Sequence, residues 1–136
     1  MTDITDADKL TVVIANLSDE PIYEQIERQI RQAIFTGVLQ EGDSLPSLRQ
    51  LAKDLRVSVV TTNRAYEDLE KEGFIVTAPG RGTFVAKAKE EFLKDRKLRL
   101  VEERLAEAVD LANVYGISRS DFMKMIDLLF PRRKHE

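Results

Sequence analysis

Residues 21–85 decide the fold of this chain: PIYEQIERQIRQAIFTGVLQEGDSLPSLRQLAKDLRVSVVTTNRAYEDLEKEGFIVTAPGRGTFV. Isoleucine recurs at every fourth position from Ile22 to Ile34, which predicts an amphipathic helix that ends at Gly37. Pro21 suits the first helical position, and the polar residues before it can cap the helix or match its dipole. The segment LQEGDSLP after this helix predicts a turn.

Two further helices follow, joined by a connection of about three residues. Ser47 can cap the first of them, with Gln50 reaching back to the Ser47 backbone in a capping box. Ser58 can cap the second, which ends at Gly73. So short a link between two short helices is typical of a helix-turn-helix. The next segment, FIVTAPGRGTFVAK, alternates in polarity and breaks at its glycines, which predicts two strands with a glycine-rich tip.

A short strand is predicted before the first helix. Residues 10–16, LTVVIAN, are rich in β-branched side chains, and they predict a strand that pairs with the later hairpin. The predicted fold is therefore mainly α with a small β-wing. It comprises a winged helix-turn-helix domain over residues 10–87 and a two-helix dimerisation tail over residues 88–136. This architecture makes double-stranded DNA the expected partner.

The tail is predicted to form two amphipathic helices, the first from Glu90 to Tyr115 and the second from a capping box at Ser118 and Asp121 to Pro131. Their apolar faces need a partner, and we expect a second copy of the chain, because palindromic DNA sites favour a two-fold symmetric protein. The alternative is a tail that folds back on its own winged helix. The residues predicted to line the dimer interface are Val101, Leu105, Ala108, Ala112, Phe122, Ile126 and Leu129.

Composition argues against several classes of function. The acidic start, MTDITDADKL, is unlike a signal peptide, and no apolar run approaches the roughly 20 residues that span a bilayer, so we expect a cytoplasmic protein. The chain has no cysteine, which excludes disulfides and thiolate sites. Its one histidine, His135, lies in the terminal PRRKHE, and no phosphate-binding loop is present. We therefore expect no cofactor, no metal and no enzymatic activity.

The net charge of −3 is unusual for a DNA-binding protein, but the distribution of the charges favours DNA. Acidic residues are absent from residues 55–66 and from residues 73–89. A step of 100° per residue places Val60, Asn63 and Arg64 on the outer face of the predicted third helix. The acids of that helix lie only in its C-terminal half. A helix that enters the major groove by its N-terminal end needs this polarity, because phosphates repel carboxylates.

Four strings, PIYEQI, GDSLPSLRQLA, VSVVTTNRAYEDLEKEGFI and GRGTFV, together resemble the N-terminal DNA-binding domain of the GntR family of bacterial transcription regulators. The tail is similar to that of the YtrA-type subfamily, whose members lack a large effector-binding domain and dimerise through such helices. The resemblance implies a homodimeric, sequence-specific regulator, and we expect a repressor that binds an inverted-repeat operator. A small-molecule effector at the dimer cleft stays an open alternative.

The resemblance also implies which residues contact DNA. Arg49 matches an arginine that reaches phosphates and base edges from the second helix, beside the helix cap Ser47. The third helix would supply base contacts, and the glycine-rich tip would enter the minor groove. The implied contact residues are Ser47, Arg49, Ser58, Val60, Thr61, Asn63, Arg64, Gly80, Arg81 and Gly82. Some family members have arginine where this chain has Val59 or Val60, so their base preference is not carried over.

Side-chain chemistry suits these roles but leaves alternatives open. Val60 suits contact with a thymine methyl group, Asn63 can bind adenine by two hydrogen bonds, and Arg64 can bind guanine or phosphate. Alternatively, Val60 packs at the helix start, and Asn63 and Arg64 contact only phosphates. The tip glycines also have a purely conformational explanation in positive φ. For the whole domain, the alternative is a winged helix that docks a protein instead of DNA, although its arginines and acid-free segments favour DNA.

Overall fold

The computed structural model describes residues 9–131, which are mainly α-helical. The elements, in chain order, are α1 (Ile22–Phe35), β1 (Ser44–Leu45), α2 (Leu48–Leu55), α3 (Val59–Lys71), β2 (Ile75–Ala78), β3 (Gly82–Val85), α4 (Glu90–Val114) and α5 (Arg119–Leu129). Within this range the strands form one antiparallel sheet in the order β1-β3-β2. The predicted fold class, a winged helix-turn-helix followed by two helices, is confirmed.

Helix α1 buries the predicted isoleucine stripe. Ile26 and Ile30 are fully buried and Ile34 nearly so, in a core that includes residues of all three winged-helix helices and of the sheet. Pro21 is the residue before the helix and not its first residue, and its carbonyl accepts a hydrogen bond from the backbone N–H of Gln25 (3.1 Å). The helix ends just before Gly37, as predicted, where φ is +82°.

Serine caps fix the starts of three helices. The hydroxyls of Ser47, Ser58 and Ser118 each accept a hydrogen bond from a backbone N–H three residues ahead, at 3.1 Å. These bonds confirm the predicted cap positions, because each satisfies a donor that the first turn leaves unpaired. The prediction that the Gln50 side chain reaches back to the Ser47 backbone was wrong, because its amide donates forward along the helix to the Asp54 carboxylate at 2.7 Å.

The prediction of a strand at residues 10–16 was wrong. The backbone of this segment is held by glutamine side chains of α1 and belongs to no strand. Val13 both donates to and accepts from the Gln29 amide (2.8 Å each), and Ala15 bonds in the same two ways to the Gln25 amide (2.8 and 3.1 Å). A side-chain amide presents one acceptor and two donors, so it can satisfy a backbone residue as a neighbouring strand would.

The third strand of the sheet comes from the segment that was predicted to be only a turn. Ser44 and Leu45 pair with Phe84 and Thr83 of β3. Strands β2 and β3 form the predicted hairpin, with a register that runs from Ile75 opposite Val85 to Ala78 opposite Gly82. Two residues are too few to show an alternating pattern, which is why β1 escaped sequence-based prediction.

The chain divides into two compact units, the first ending at Leu93 and the second beginning at Lys94. The break lies beyond the predicted domain boundary at Lys87, because the first turn of α4 packs on the winged helix. The Phe92 ring lies 6.2 Å from the Phe74 ring, and Leu93 packs against the core. Gly73 has a φ of +89°, and a Cβ atom there would lie 3.3 Å from the Phe92 ring.

In the second unit, α4 ends in a left-handed glycine turn before α5. Gly116 has a φ of +68°, and the N–H groups of Gly116 and Ile117 donate to the carbonyls of Asn113 and Ala112. No helix in the described range is long and apolar enough to cross a bilayer. The last five residues of the predicted tail, including His135, lie outside the described residues, as does the acidic start at residues 1–8.

Candidate nucleic-acid interface

The first turn of α3 is an exposed and uncharged surface. Val60 has 78% of its surface exposed, which rules out the alternative that it packs at the helix start. The Ser58 hydroxyl lies 2.9 Å from the Thr61 hydroxyl and also caps the helix through the Thr61 N–H. Thr61 is half-buried. The turn therefore presents valine methyl groups and a capped helix N-terminus to the outside.

Two hydrogen bonds hold α3 against the start of α2. The Thr62 hydroxyl is fully buried and donates to the Leu48 carbonyl at 3.0 Å. The Tyr66 hydroxyl donates to the Pro46 carbonyl at 2.7 Å, and burial raises the pKa of this phenol, which keeps it a donor. Sequence periodicity placed Thr62 and Tyr66 on the packing face but did not reveal these bonds. They fix the segment that carries Ser47 and Arg49 relative to α3.

Asn63 is half-buried and already has a partner on its own helix. Its amide donates to the Glu67 carboxylate at 2.9 Å. The two residues are four positions apart and therefore face each other on the helix surface. For Asn63 to form two hydrogen bonds with an adenine, its amide must leave Glu67.

Arg64 lies on the exposed side of α3, between an aromatic ring and a carboxylate. Its guanidinium carbon is 4.0 Å from the centre of the Tyr23 ring of α1, at the distance of a cation–π contact. Its Nε is 3.8 Å from the Asp68 carboxylate, and 59% of the side chain is exposed. Sequence spacing gave no signal for Tyr23, because the contact joins residues on two helices far apart in the chain.

Arg49 lies on the exposed face of the first turn of α2, directly after the cap Ser47. Within residues 9–131 its guanidinium has no hydrogen bond or ion pair. The first turns of α2 and α3 also contain no acidic residue. A free cation in the acid-free first turn of a helix is suited to bind phosphate.

The wing ends in an exposed three-residue tip. The Arg81 N–H donates to the Ala78 carbonyl at 2.9 Å and closes the turn between β2 and β3. Gly80 and Gly82 have φ values of +76° and +114°, which side chains rarely adopt. Open space surrounds the position of a Cβ at each, so backbone conformation and not crowding explains both glycines. The arginine between them has no such conformational explanation. Its exposed side chain has no hydrogen bond or ion pair within the described chain.

In the tail, Val101, Leu105, Ala108 and Leu129 are exposed, whereas Phe122 and Ile126 are half-buried. Ala112 is only 7% exposed within a single chain. The place of all these residues in a dimer interface stays a prediction. The Ala112 carbonyl also accepts the hydrogen bond from the Ile117 N–H at the end of α4.

The structure thus places Ser47, Arg49, the predicted α3 contacts and the wing tip in one compact unit. It brings Ser58 and Thr61 together directly, and it links α2 to α3 through buried hydrogen bonds. DNA contact by each residue stays a prediction. No group of three or more acidic or histidine side chains that could hold a metal ion occurs in residues 9–131.

Comparison with known proteins agrees with this geometry. The family model for bacterial regulatory proteins of the gntR family matches residues 22–85, which contain α1 to β3. The transcriptional repressor YtrA of Bacillus subtilis strain 168 is 36% identical over 100 residues, which cover 74% of this chain and 77% of that protein.

Solved structures show the same relationship. YtrA from Sulfolobus acidocaldarius, a GntR-family transcription factor, is 38% identical with a TM-score of 0.57, over 71% of this chain and 97% of that one. A GntR family transcriptional regulator from Listeria monocytogenes is 27% identical with a TM-score of 0.71, over 82% of this chain and 97% of that one. The chain therefore belongs to the GntR family of transcription regulators, as a winged helix-turn-helix protein of the YtrA type.

Proposed function

We propose that the protein is a cytoplasmic homodimeric repressor that binds an inverted-repeat operator. Each subunit would insert the first turn of α3 into a major groove and the tip of the wing into the adjoining minor groove. Repression would follow from occupation of a promoter. The B. subtilis relative is itself named a repressor, which supports this role.

The observation that carries the DNA-binding proposal is the exposed, uncharged start of α3. Val60 is open to solvent, the helix N-terminus is capped by Ser58, and acids begin only at Glu67. Arg49 and Arg81 belong to the same compact unit and are unpaired cations within the described residues. Such a surface can approach base edges without bringing a carboxylate close to phosphate.

The dimer proposal is supported by an apolar stripe on α4. The residues of the stripe alternate in spacing between three and four, the repeat of a helix–helix seam. They are Leu98, Val101, Leu105, Ala108, Ala112 and Tyr115. Leu98, Val101 and Tyr115 each leave more than 60% of their surface exposed, an arrangement that a second copy would cover.

Selection of binding sites from a random duplex pool tests the proposal. We expect an inverted repeat whose half-sites are centred about 10 base pairs apart, or a multiple of that spacing. In gel shifts, the selected duplex should bind with a Kd of roughly 10⁻⁸ M or tighter at physiological salt. Failure to prefer any duplex over excess random competitor would contradict the proposal and favour protein docking.

A matched pair of variants tests the role of α3 in base recognition. Asn63→Ala should lower discrimination at one adenine position by about 1–3 kcal/mol, because it removes a bidentate base contact. Asn113→Ala removes an exposed asparagine from α4 and should leave discrimination unchanged. Competition against duplexes with single substitutions provides the measurement. Equal effects of the two variants would refute base reading by Asn63.

A further inference from the structure

A buried carboxyl group lies on the inner side of the α1–α3 contact. Glu27 of α1 is only 5% exposed, and its Oε2 accepts no hydrogen bond from the described residues. Its Oε1 lies 3.7 Å from Arg31 Nη1, beyond hydrogen-bonding distance. A buried carboxylate with so few donors is strongly disfavoured relative to the neutral acid.

The charged groups that face Glu27 come from both helices. Arg31 lies on its own helix, and Asp68 and Glu72 lie on α3. Arg31 is shared, because its Nη1 is also 3.4 Å from the Glu72 carboxylate. Burial and the neighbouring Asp68 carboxylate raise the pKa of Glu27 to about 8, against the attraction of Arg31. The protonated acid can donate its hydrogen to Asp68, which supplies the partner that Oε2 lacks as a carboxylate.

Asp68 also faces the outer surface of the domain. Its carboxylate is 3.8 Å from Nε of Arg64, whose guanidinium is stacked on the Tyr23 ring. Asp68 therefore has Glu27 on its inner side and Arg64 on its outer side. A change in charge at Glu27 acts on Asp68 directly and reaches Arg64 through it.

We propose that Glu27 is a positioning residue for Arg64, acting through Asp68 to set how firmly the arginine is held away from DNA. This inference rests on the proposed function, in which Arg64 contacts DNA. When Glu27 is protonated, the Asp68 carboxylate accepts a hydrogen bond from Glu27 and also attracts Arg64. Its interaction with Arg64 is then weak. When that proton is lost to solvent, two adjoining carboxylates repel, and Asp68 turns toward Arg64 and binds it more tightly.

The arrangement predicts whether DNA affinity rises or falls with pH. Loss of the proton adds one negative charge behind α3 and tightens the competing partner of Arg64. Affinity for DNA should therefore fall as the pH rises through about 8. By linkage, a bound duplex should favour the protonated form of Glu27.

Nuclear magnetic resonance of the full chain tests the positioning role without DNA. The chemical shift of the Arg64 Nε should follow the titration of the Glu27 carboxyl carbon between pH 6 and 9.5. Glu27→Gln mimics the protonated acid and should abolish the pH-dependent change in the Arg64 chemical shift, whereas Glu41→Gln, an equal charge change at an exposed site, should preserve it. Asp68→Asn provides a second variant, in which Glu27 still titrates but Arg64 no longer follows. An Arg64 signal that stays constant while Glu27 titrates would overturn the inference.

A second measurement uses the duplex recovered by selection. Wild-type affinity should fall roughly fivefold between pH 7 and pH 9, within the usual range for coupled sites. Glu27→Gln should lose this dependence, and Glu41→Gln should keep it. If the affinity of Glu27→Gln fell between pH 7 and pH 9 as much as that of wild type, the inference would be wrong. If no duplex binds at any pH, the proposed function fails, and the pH dependence of the Arg64 chemical shift alone still decides whether Glu27 positions this side chain.

Discussion

Individual arginines on the candidate interface differ in how far they are already engaged within the protein. Arg64 is held by Tyr23 and Asp68, whereas Arg49 has no hydrogen bond or ion pair within the described chain. Binding DNA would require Arg64 to exchange partners, but Arg49 has only water to release. We therefore expect Arg49 to act as a sequence-independent clamp and Arg64 to act more selectively.

Arg49→Ala should weaken binding to selected and random duplexes by a similar factor, because a phosphate contact carries no sequence information. The slope of log K against log salt should decrease in magnitude by about 0.9. Titrations at several salt concentrations provide the measurement. Arg104→Ala, which removes an arginine with 76% side-chain exposure from α4, is the matched control and should leave the slope unchanged.

Glu27 should make the stability of the fold depend on pH. Its pKa is about 8 in the folded protein against 4.5 as the ordinary value, so between these pH values the folded chain keeps a proton that the unfolded chain has lost. The stability from this proton is fully present below pH 4.5 and has been lost once the pH rises through 8. The contribution of this group to the unfolding free energy should decrease by about 1.4 kcal/mol per pH unit between those values.

Urea unfolding of wild type and Glu27→Gln at a series of pH values checks this dependence. The variant should become progressively more stable relative to wild type as the pH rises, because glutamine stays neutral. A constant difference between the two proteins from pH 5 to pH 8 would show that Glu27 titrates in its ordinary range.

At the same scale, the sequence predicted which α3 residues face outward but not the partners that hold them. A rotation of 100° per residue is enough to separate Val60 from Thr62. The contacts of Arg64 with Tyr23 and of Thr62 with the Leu48 carbonyl depend on how helices pack, which periodicity within one helix does not specify.

Among the elements, the turn between α2 and α3 contains the one non-glycine residue with positive φ in the described chain. Arg56 has φ of 58° and ψ of 46°, and Val57 N–H donates to the Ala52 carbonyl to complete the helix end. The left-handed region costs an L-residue roughly 1–2 kcal/mol. The helix-turn-helix therefore carries backbone strain at its turn.

Arg56→Gly should relieve this strain and stabilise the fold by roughly 0.5–1 kcal/mol, after the greater freedom of glycine in the unfolded chain is subtracted. Thermal unfolding provides the measurement. Arg56→Ala removes the same charge but keeps a Cβ atom, and it should give no such gain. Equal stabilisation by both substitutions would point to charge and not to backbone conformation.

Elements with a strong local signal were predicted well, and those fixed by distant partners were not. The helices of residues 21–85 follow from the isoleucine stripe, the serine caps and the terminal glycines. The strand predicted at residues 10–16 was wrong, because glutamine amides of α1 took the place of a neighbouring strand. Strand β1 forms only because β3 lies beside it.

On the scale of the whole molecule, the α4 stripe should determine the oligomeric state. The double variant Val101→Lys with Leu105→Lys places two charges on the stripe and should convert a dimer into a monomer, because burying unpaired ammonium groups is costly. Light scattering measures the mass directly. Operator affinity should fall by roughly 100-fold or more as the two half-sites cease to be bound together.

The control places the same charges elsewhere on α4. Leu100 and Val114 are exposed apolar residues outside the alternating stripe, so lysine at both positions should leave the dimer intact. Dissociation by this control, with the stripe variant still dimeric, would place the interface on another face.

The hydrogen bonds from the Gln25 and Gln29 side chains to the backbone of residues 13 and 15 affect which substitutions this protein can accept. Because both amides bond to main-chain atoms and both positions are exposed, the side chains at Val13 and Ala15 can be replaced without loss of these hydrogen bonds. The glutamines themselves cannot be replaced in this way, since an ionised glutamate at either position could accept a hydrogen bond but could not donate one. Mutational tolerance should thus be high on the held segment and low on the helix that holds it.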